Sequence, residues 1–279
     1  MNSGYFQLTG PSAETPSAQT LIPDRSAASL WGGDGNHLRG MAVSGVLARA
    51  VEYRATEDHP GLRPVRWQLD LFRTPTMTPC VASTTVVRAG RRLCLIDAVL
   101  QQDGRVIARA GALFLAESDP TEGKIWARPL DLPLPPADMR PATTESRLYF
   151  SEIAGWTPTP EPHQNDQRKQ VWIDPYPVVQ GEEPSAFQLA ATAADAVNLV
   201  TSWGDRGLEY INADVNLVMG RLPVGSGIGL AAEHRVADSG IAGGSAVMFD
   251  REGPFGVVTA STLASPFEPI DPRNFGRAR

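Results

Sequence analysis

The chain has 279 residues, of which 42% are hydrophobic, so it is long enough to bury a substantial core in about two domains of ordinary size. Its formal net charge of -6 argues against a nucleic-acid backbone as a partner. No apolar run approaches the roughly 20 residues that span a bilayer, and residues 1–5 lack the basic start and apolar centre of a signal peptide. We therefore expect a cytoplasmic protein without a membrane span.

Two helices are predicted from runs of alanine and other small or apolar residues. The first spans 41–53 and follows the glycine-rich segment 31–40. The second spans 187–200 and follows Pro184 and Ser185, with Ser185 as the N-cap. Both have little polar surface, so each should be largely buried by other structure. Strand-like runs separated by Gly, Asp and Pro turns follow each helix, and this repeated order predicts an α+β fold.

The pattern of the first half recurs in the second half at a constant spacing of 148 positions. In both halves an apolar strand ends in Arg-x-Pro, and further apolar strands with a turn containing Gly follow. Scattered apolar composition would not keep identical residues at one offset, so the chain is predicted to be a tandem duplication with its chemistry where the halves meet. The identical pairs include Arg73 with Arg221, Pro75 with Pro223 and Val99 with Val247.

A proline-rich stretch separates the two halves. Residues 120–162 hold nine prolines. Proline fixes φ and removes a backbone donor, so this stretch can neither run as a helix nor lie centrally in a sheet. Apolar residues such as Trp126, Leu148, Tyr149 and Trp156 should let it pack along the body. The predicted division is an N-terminal half over 1–119, a connector over 120–170 and a C-terminal half over 171–279.

Segment 212–223 and the glycine-rich approach to the first helix carry a family resemblance. Together with the order of helix, Arg-x-Pro strand and two long strands around a turn, they resemble the TesB-like acyl-CoA thioesterases over residues 26–265. The resemblance implies a tandem double hotdog. In that fold each half wraps an antiparallel sheet around one central helix, and the two sheets join edge to edge.

The same resemblance implies hydrolysis of an acyl thioester by an activated water. In the family an Asp seven residues before the strand-end Arg deprotonates the water, and backbone N–H groups at a helix start stabilise the oxyanion. That position is Asp214, seven residues before Arg221, whereas its counterpart 148 positions earlier is Arg66, so at most one such site is expected. Strand alternation predicts Asn212, Asp214 and Asn216 on one face. A solvent-facing polar row is the alternative interpretation.

The other two catalytic positions of the family depart from its pattern. The family has a Thr or Ser that falls near 233–235 and a Gln that falls within 262–264, where this sequence has no Gln. Thr262 could orient water through its hydroxyl, and His234 or Asn216 could substitute for the missing groups. The catalytic candidates are therefore Asp214, Thr262, His234 and Asn216.

Residues near the helix starts are the candidates for substrate binding. The glycine-rich segment would let the backbone approach a ligand closely, and free N–H groups there suit an oxyanion or a phosphate. His37, Arg39 and Gly40, with Gln188 from the second helix, are predicted to contact substrate. For His37, capping of the helix is the alternative to donation to the thioester carbonyl. The glycine spacing fits no nucleotide-binding fingerprint.

No cofactor or metal is expected. Cys80 and Cys94 are too few for a metal cage and are predicted to be buried thiols. The four histidines show no metal-binding spacing. The sequence also lacks the GxSxG motif of an α/β hydrolase.

These observations predict a thioesterase of lipid metabolism that hydrolyses acyl-CoA or another acyl thioester, with Asp214 as the base. Two alternatives stay open. One is a non-catalytic protein of the same fold that binds acyl-CoA or an acyl chain, and the other is a structural or assembly partner. Edge strands at the ends of a joined sheet also predict a homo-oligomer.

Overall fold

The structure is a computed structural model that describes residues 4–9, 19–29, 35–126, 129–142 and 146–274. The first four residues of the glycine-rich segment 31–40 lie outside the described residues. In the described part three α-helices are present: α1 (Gly40–Asp58), α2 (Ala186–Ala194) and α3 (Val197–Ser202). None of these helices is both long and apolar enough to cross a membrane.

The described strands are short at the start of the chain and long in the two halves. In chain order they are β1 (Phe6–Thr9), β2 (Thr20–Pro23), β3 (Leu62–Leu71), β4 (Val81–Gly90), β5 (Leu93–Gln102), β6 (Arg105–Ala116), β7 (Arg147–Ser151), β8 (Gly155–Thr157), β9 (Lys169–Ile173), β10 (Trp203–Gly204), β11 (Gly207–Leu208), β12 (Tyr210–Asn212), β13 (Asp214–Met219), β14 (Ile228–Asp238), β15 (Ile241–Asp250) and β16 (Gly253–Ala264).

One antiparallel sheet of twelve strands organises both halves. Its order is β4-β5-β6-β3-β13-β16-β15-β14-β9-β7-β8, and β12 also pairs with β16. The halves meet where β3 pairs with β13. Alternating residues of the strands are buried, as in β5, where Cys94, Ile96, Ala98 and Leu100 enter the core beneath α1. Cys80 and Cys94 are free and buried, as predicted.

The spacing of 148 positions holds strand by strand. Both bounds of β5 match those of β15 at this offset, and both bounds of β6 match those of β16. Arg73 and Arg221 each lie two residues beyond the end of matching strands. Gln68 and Asn216, which are counterparts at the same offset, lie directly opposite each other across the β3–β13 pair. An approximate twofold axis therefore passes between these two residues.

The connector extends the sheet instead of running over it. Its strands β7 and β8, with β9, continue the sheet beyond β14. Leu148 and Tyr149 are buried, as expected for a stretch that packs along the body. Trp126 is 86% exposed, so the expectation is wrong for this residue. The reason is that residues 117–126 belong to no helix or strand that would hold them against the sheet.

The helices pack against each other in opposite directions, with the start of α1 against the end of α2. A β-carbon on Gly45 would come within 2.6 Å of Thr192 Oγ1. Next to it, Ser44 Oγ donates to the backbone oxygen of Ala191 (2.5 Å) and accepts from Trp67 Nε1 (3.0 Å). Glycine at position 45 thus allows a close approach of the two helix backbones.

Replacing Gly45 by Val should destabilise the fold by about 1–3 kcal/mol, the usual cost of overpacking a core. The matched control is Gly243→Val on β15, where a β-carbon meets nothing within 4 Å, and its effect should stay within about 0.5 kcal/mol. Urea unfolding of the parent and both variants measures the difference. Equal effects of the two substitutions would contradict the close helix contact.

Candidate active site

The candidate site is built around the carboxylate of Asp195, which lies between α2 and α3. Asn212 Nδ2 donates to Asp195 Oδ1 (3.2 Å) and to the Asp195 backbone oxygen (3.0 Å). In a continuous helix this oxygen would accept from the Leu199 N–H. Because it accepts from the Asn212 side chain, the Leu199 N–H bonds to the Ala196 oxygen instead. The continuous helix predicted over 187–200 is therefore wrong, and the interruption falls at the carboxylate.

The start of α1 contacts the Asp195 carboxylate directly. A β-carbon on Gly40 would overlap both carboxylate oxygens, so only glycine leaves room for them. The Met41 backbone N–H donates to the carboxylate. The first N–H groups of a helix have no intrahelical acceptor and carry partial positive charge, which favours an anion at this position. The first turn of α1 thus forms one wall of the site.

Burial raises the pKa of the Asp195 carboxyl above its ordinary value, since desolvation penalises the charged form. The hydrogen bond from Asn212, the charges of Arg147 and Arg39 and the Met41 N–H oppose this shift without cancelling it. The residue keeps part of its surface exposed. A carboxylate with a raised pKa is a stronger base than an ordinary Asp.

Two arginines frame this carboxylate and are themselves held in place. Arg39 donates from Nε (3.0 Å) and Nη2 (2.8 Å) to the backbone oxygen of Ala28. Arg147 is buried, and its Nη2 lies 3.2 Å from the Met41 sulfur. Both side chains place positive charge near Asp195. Such charge suits a site in which a substrate oxygen becomes negative.

Asn212 lies on the opposite face of the sheet from Asp214 and Asn216, so the predicted polar row keeps only the last two of its three residues. Asn212 pairs with Thr262, whereas Asn216 pairs with Thr259. An advance of four residues from β12 to β13 therefore matches an advance of only three residues along β16. This β-bulge inserts one extra residue at Ala213 and reverses the alternation. Asn212 consequently reaches the helices, and Asp214 and Asn216 face away from them.

Asp214 is engaged in a hydrogen-bond network on that outer face. It accepts from the Ser261 backbone N–H (2.5 Å), from Ser261 Oγ (3.3 Å) and from Asn216 Nδ2 (3.1 Å). Asn216 Oδ1 in turn accepts from Gln68 Nε2 (3.1 Å) across the join of the two halves. The network ties β13 to β16 and to β3. Asp214 therefore has a structural task that explains its position.

Among the remaining catalytic candidates, Thr262 lies on the same face as Asp195 and His234 does not. Thr262 is buried opposite Asn212, and its hydroxyl donates to the Ala242 oxygen (3.2 Å). His234 is exposed and follows a register shift in β14. The hydroxyl of Thr262 thus links β16 to β15.

The substrate-binding candidates are divided between the two ends of the helix pair. Arg39 and Gly40 lie at Asp195, as described above. Gln188 donates to Glu52 (2.8 Å) at the opposite end of the pair. His37 forms a backbone bridge to Thr76, ahead of α1. The structure thus brings Arg39 and Gly40 to Asp195, places Thr262 opposite Asn212 and leaves Gln188 apart.

Sequence reasoning missed Asp195, although a signal was present. Asp195 is the single charged residue in the predicted helix 187–200, which was expected to be largely buried. A lone carboxylate in a buried helix needs a partner or a function. What the sequence could not show is that Gly40 and Asn212, which lie far away along the chain, meet at it.

The structure provides this carboxylate in one half only. The residue 148 positions before Asp195 is Leu47, and the counterpart of Thr262 is Phe114; both are fully or almost fully buried. Pro64 takes the place of Asn212. In the part of the chain that the structure describes, no cluster of three or more His, Cys, Asp or Glu side chains could hold a metal ion.

The sequence matches two domains of one family. Residues 28–115 match the acyl-CoA thioesterase N-terminal domain, and residues 120–263 match the acyl-CoA thioesterase C-terminal domain. No curated protein matches the chain in sequence.

Several solved structures are similar to this one. A tesB protein of Mycobacterium avium subs paratuberculosis is 15% identical, with a TM-score of 0.63 over 88% of this chain and 93% of that chain. Acyl-CoA thioesterase II TesB2 from Mycobacterium marinum is 16% identical, with a TM-score of 0.60 over 81% and 90%. A conserved protein with a hot dog fold from Alicyclobacillus acidocaldarius is 14% identical, with a TM-score of 0.60 over 90% and 94%. These likenesses confirm the α+β hotdog fold.

Replacing Asp195 by Asn should raise the melting temperature near neutral pH, because the variant no longer holds a desolvated charge. A carboxyl whose pKa is raised on folding stabilises the fold below its unfolded pKa, and this stability is lost as the pH rises through the folded pKa. The advantage of Asp195→Asn should therefore shrink as the pH falls. Melting curves across this range measure it.

The matched control is Asp214→Asn. It should lower the stability by about 0.5–1.5 kcal/mol, since an amide nitrogen cannot accept from the donors that surround Asp214. A lower melting temperature for Asp195→Asn at every pH would show that Asp195 is held by net favourable contacts and would contradict the raised pKa.

Proposed function

Because the chain belongs to the TesB-like acyl-CoA thioesterase family, we propose that it hydrolyses acyl-CoA with the Asp195 carboxylate as the base that activates water. The observation that carries this proposal is the contact between the buried carboxylate and the start of α1. A base and a group of N–H donors for an oxyanion are thereby adjacent. Hydrolysis of an acyl thioester needs both.

Asn212 gives the attacking water a second contact. Its Nδ2 reaches the Asp195 carboxylate, and its Oδ1 is buried without a hydrogen-bond partner in the described part of the chain. A buried acceptor without a partner commonly holds a water. A water that donates one hydrogen to Asp195 and the other to Asn212 Oδ1 would satisfy both groups and point its lone pair at the substrate.

The reaction then proceeds in two steps. The Asp195 carboxylate takes a proton from the water as the water oxygen attacks the thioester carbonyl carbon, and the resulting oxyanion accepts a hydrogen bond from the Gly40 N–H. As the C–S bond breaks, the thiolate takes the proton from the Asp195 carboxyl. Asp195 returns to its carboxylate form, and the products are a free acid and the thiol of coenzyme A.

Asp214 is the alternative base that the family spacing predicted, with Asn216 and His234 as its neighbours. Three hydrogen bonds already occupy its carboxylate, and its strand turns it away from the helices. For these reasons Asp195 fits the task better. The two residues can be compared in one experiment.

A non-catalytic acyl-CoA binding protein is the second candidate function. It is favoured by the departure at 262–264, where the resembled family has Gln and this chain has Thr-Leu-Ala. Thr262 uses its hydroxyl to bond a backbone oxygen, so it does not replace that amide. The fold would then be kept for binding alone.

The wider organisation is also a proposal. A tandem double hotdog is supported by the constant offset of 148 and by the twofold relation between Gln68 and Asn216. The division into residues 1–119, 120–170 and 171–279, a cytoplasmic location, a role in lipid metabolism and a homo-oligomeric state stay predictions. Strands β7, β8 and β9 continue the sheet of the C-terminal half, so the connector could also be counted as part of that half.

Turnover of a panel of acyl-CoA substrates tests the proposed function. Asp195→Asn should lower kcat by about 10²–10⁴-fold, the usual contribution of a positioned general base. Asp214→Asn, the matched control, should keep kcat close to that of the parent if it folds. The opposite ranking would make Asp214 the base. Acyl-CoA binding without turnover by the parent would favour the binding protein, and the absence of both would leave a structural role.

A further inference from the structure

A second polar site lies at the end of the first half, outside the candidate active site. A groove of about 380 Å³ opens beyond the end of β3, at the hairpin between β5 and β6. Arg73, Thr76, Gln102 and Arg105 are among its lining residues, together with one carboxylate, Asp103. The groove therefore combines two guanidinium groups with hydroxyl and amide groups.

Neither arginine of the groove is neutralised. Arg73 and Arg105 are exposed, and in the described ranges of the chain no carboxylate forms an ion pair with either of them. A planar guanidinium fits the oxygens of a carboxylate or phosphate with two parallel hydrogen bonds. Two such groups beside one groove are suited to a phosphate-bearing ligand.

In the second half, the arginine at the matching position binds a carboxylate of the protein itself. Arg221, the counterpart of Arg73, binds Asp250 through Nη1 (2.6 Å) and Nη2 (2.7 Å). The same carboxylate accepts from the Val224 N–H (2.7 Å). A built-in anion therefore occupies the position in front of the arginine in the second half.

In the first half that anion is replaced by a neutral amide. Gln102, the counterpart of Asp250, accepts from the Thr76 N–H (3.0 Å) and donates to the Thr76 oxygen (2.8 Å). It thus keeps the contact to the backbone while it supplies no charge to Arg73. Arg105 adds a second cation where its counterpart is Gly253. The difference between the halves leaves Arg73 available for an external anion.

The groove is connected to the active site by a short piece of backbone. Thr76 forms a backbone bridge with His37, and Gly40 lies three positions after His37 in the chain. From these spacings the Cα atoms of Thr76 and Gly40 are within about 16 Å of each other. An extended pantetheine arm can cover such a separation.

We propose that Arg73 and Arg105 bind the phosphate groups of coenzyme A while its thioester lies at Asp195. This inference rests on the proposed function for the identity of the substrate. It assigns the recognition of the nucleotide part of the substrate to the first half and the chemistry to the contact between α1 and the second half.

Binding of free coenzyme A by calorimetry is the first test, because it needs no turnover. The double variant R73Q/R105Q should bind about tenfold more weakly than the parent, and added salt should weaken binding to the parent more than to the variant. The matched control is R91Q/R92Q, which removes the same charge at the opposite end of the β4–β5 hairpin and should bind like the parent. Equal affinity of R73Q/R105Q and the parent, or no binding by the parent, would overturn the proposal.

Turnover provides the second test and separates the two proposals. The ratio of kcat/KM for an acyl-CoA to that for the matching acyl-pantetheine, which lacks phosphates, should fall about tenfold in R73Q/R105Q and stay unchanged in R91Q/R92Q. An unchanged ratio in R73Q/R105Q would refute the phosphate site while leaving hydrolysis intact. If the parent binds coenzyme A without turnover and R73Q/R105Q binds it more weakly, the phosphate site is supported and the proposed hydrolysis is refuted.

Discussion

The close antiparallel contact between α1 and α2 is the constraint on which the rest of the structure depends. It is possible because Gly45 and Gly40 remove the β-carbons that would hold the helices apart. The same contact brings the N-terminus of α1 against the end of α2, where Asp195 lies. The positive end of a 19-residue helix then faces a carboxylate that burial would otherwise strongly disfavour. Packing and electrostatics thus support each other at one place.

The two halves share a framework and differ in a few polar residues. Their long strands repeat at one offset, yet Asp195 corresponds to Leu47 and Asp250 corresponds to Gln102. The exchange between Asp250 and Gln102 changes a charge without disturbing the strands, because each side chain keeps its backbone contact, to Val224 and to Thr76 respectively. At the other pair the helix is continuous through Leu47 and interrupted at Asp195. In the proposals made above, the second half and the start of α1 carry the chemistry and the first half carries the recognition of the substrate.

A buried carboxylate with a raised pKa costs stability, and the structure compensates elsewhere. Arg221 and Asp250 form a bidentate pair with the carboxylate fully buried, and Asp214 ties three strands together. Functional sites commonly sacrifice stability in this manner, since a group that is fully satisfied by the protein has nothing left to offer a substrate. Asp214 is held by three hydrogen bonds, whereas burial of Asp195 outweighs the contacts that favour its charge.

The sequence by itself determined the buried helical segments, the strands that follow them and the family, because periodicity, alanine content and motif spacing are local or additive signals. It singled out Asp214, whereas the carboxylate that contacts the start of α1 is Asp195. The bulge at Ala213 depends on the register against β16, and the interruption of the second helix depends on the side chain of Asn212. Only the tertiary structure decided which acidic residue meets the start of α1, because the residues that create this environment are distant in sequence and meet only when the two halves pack.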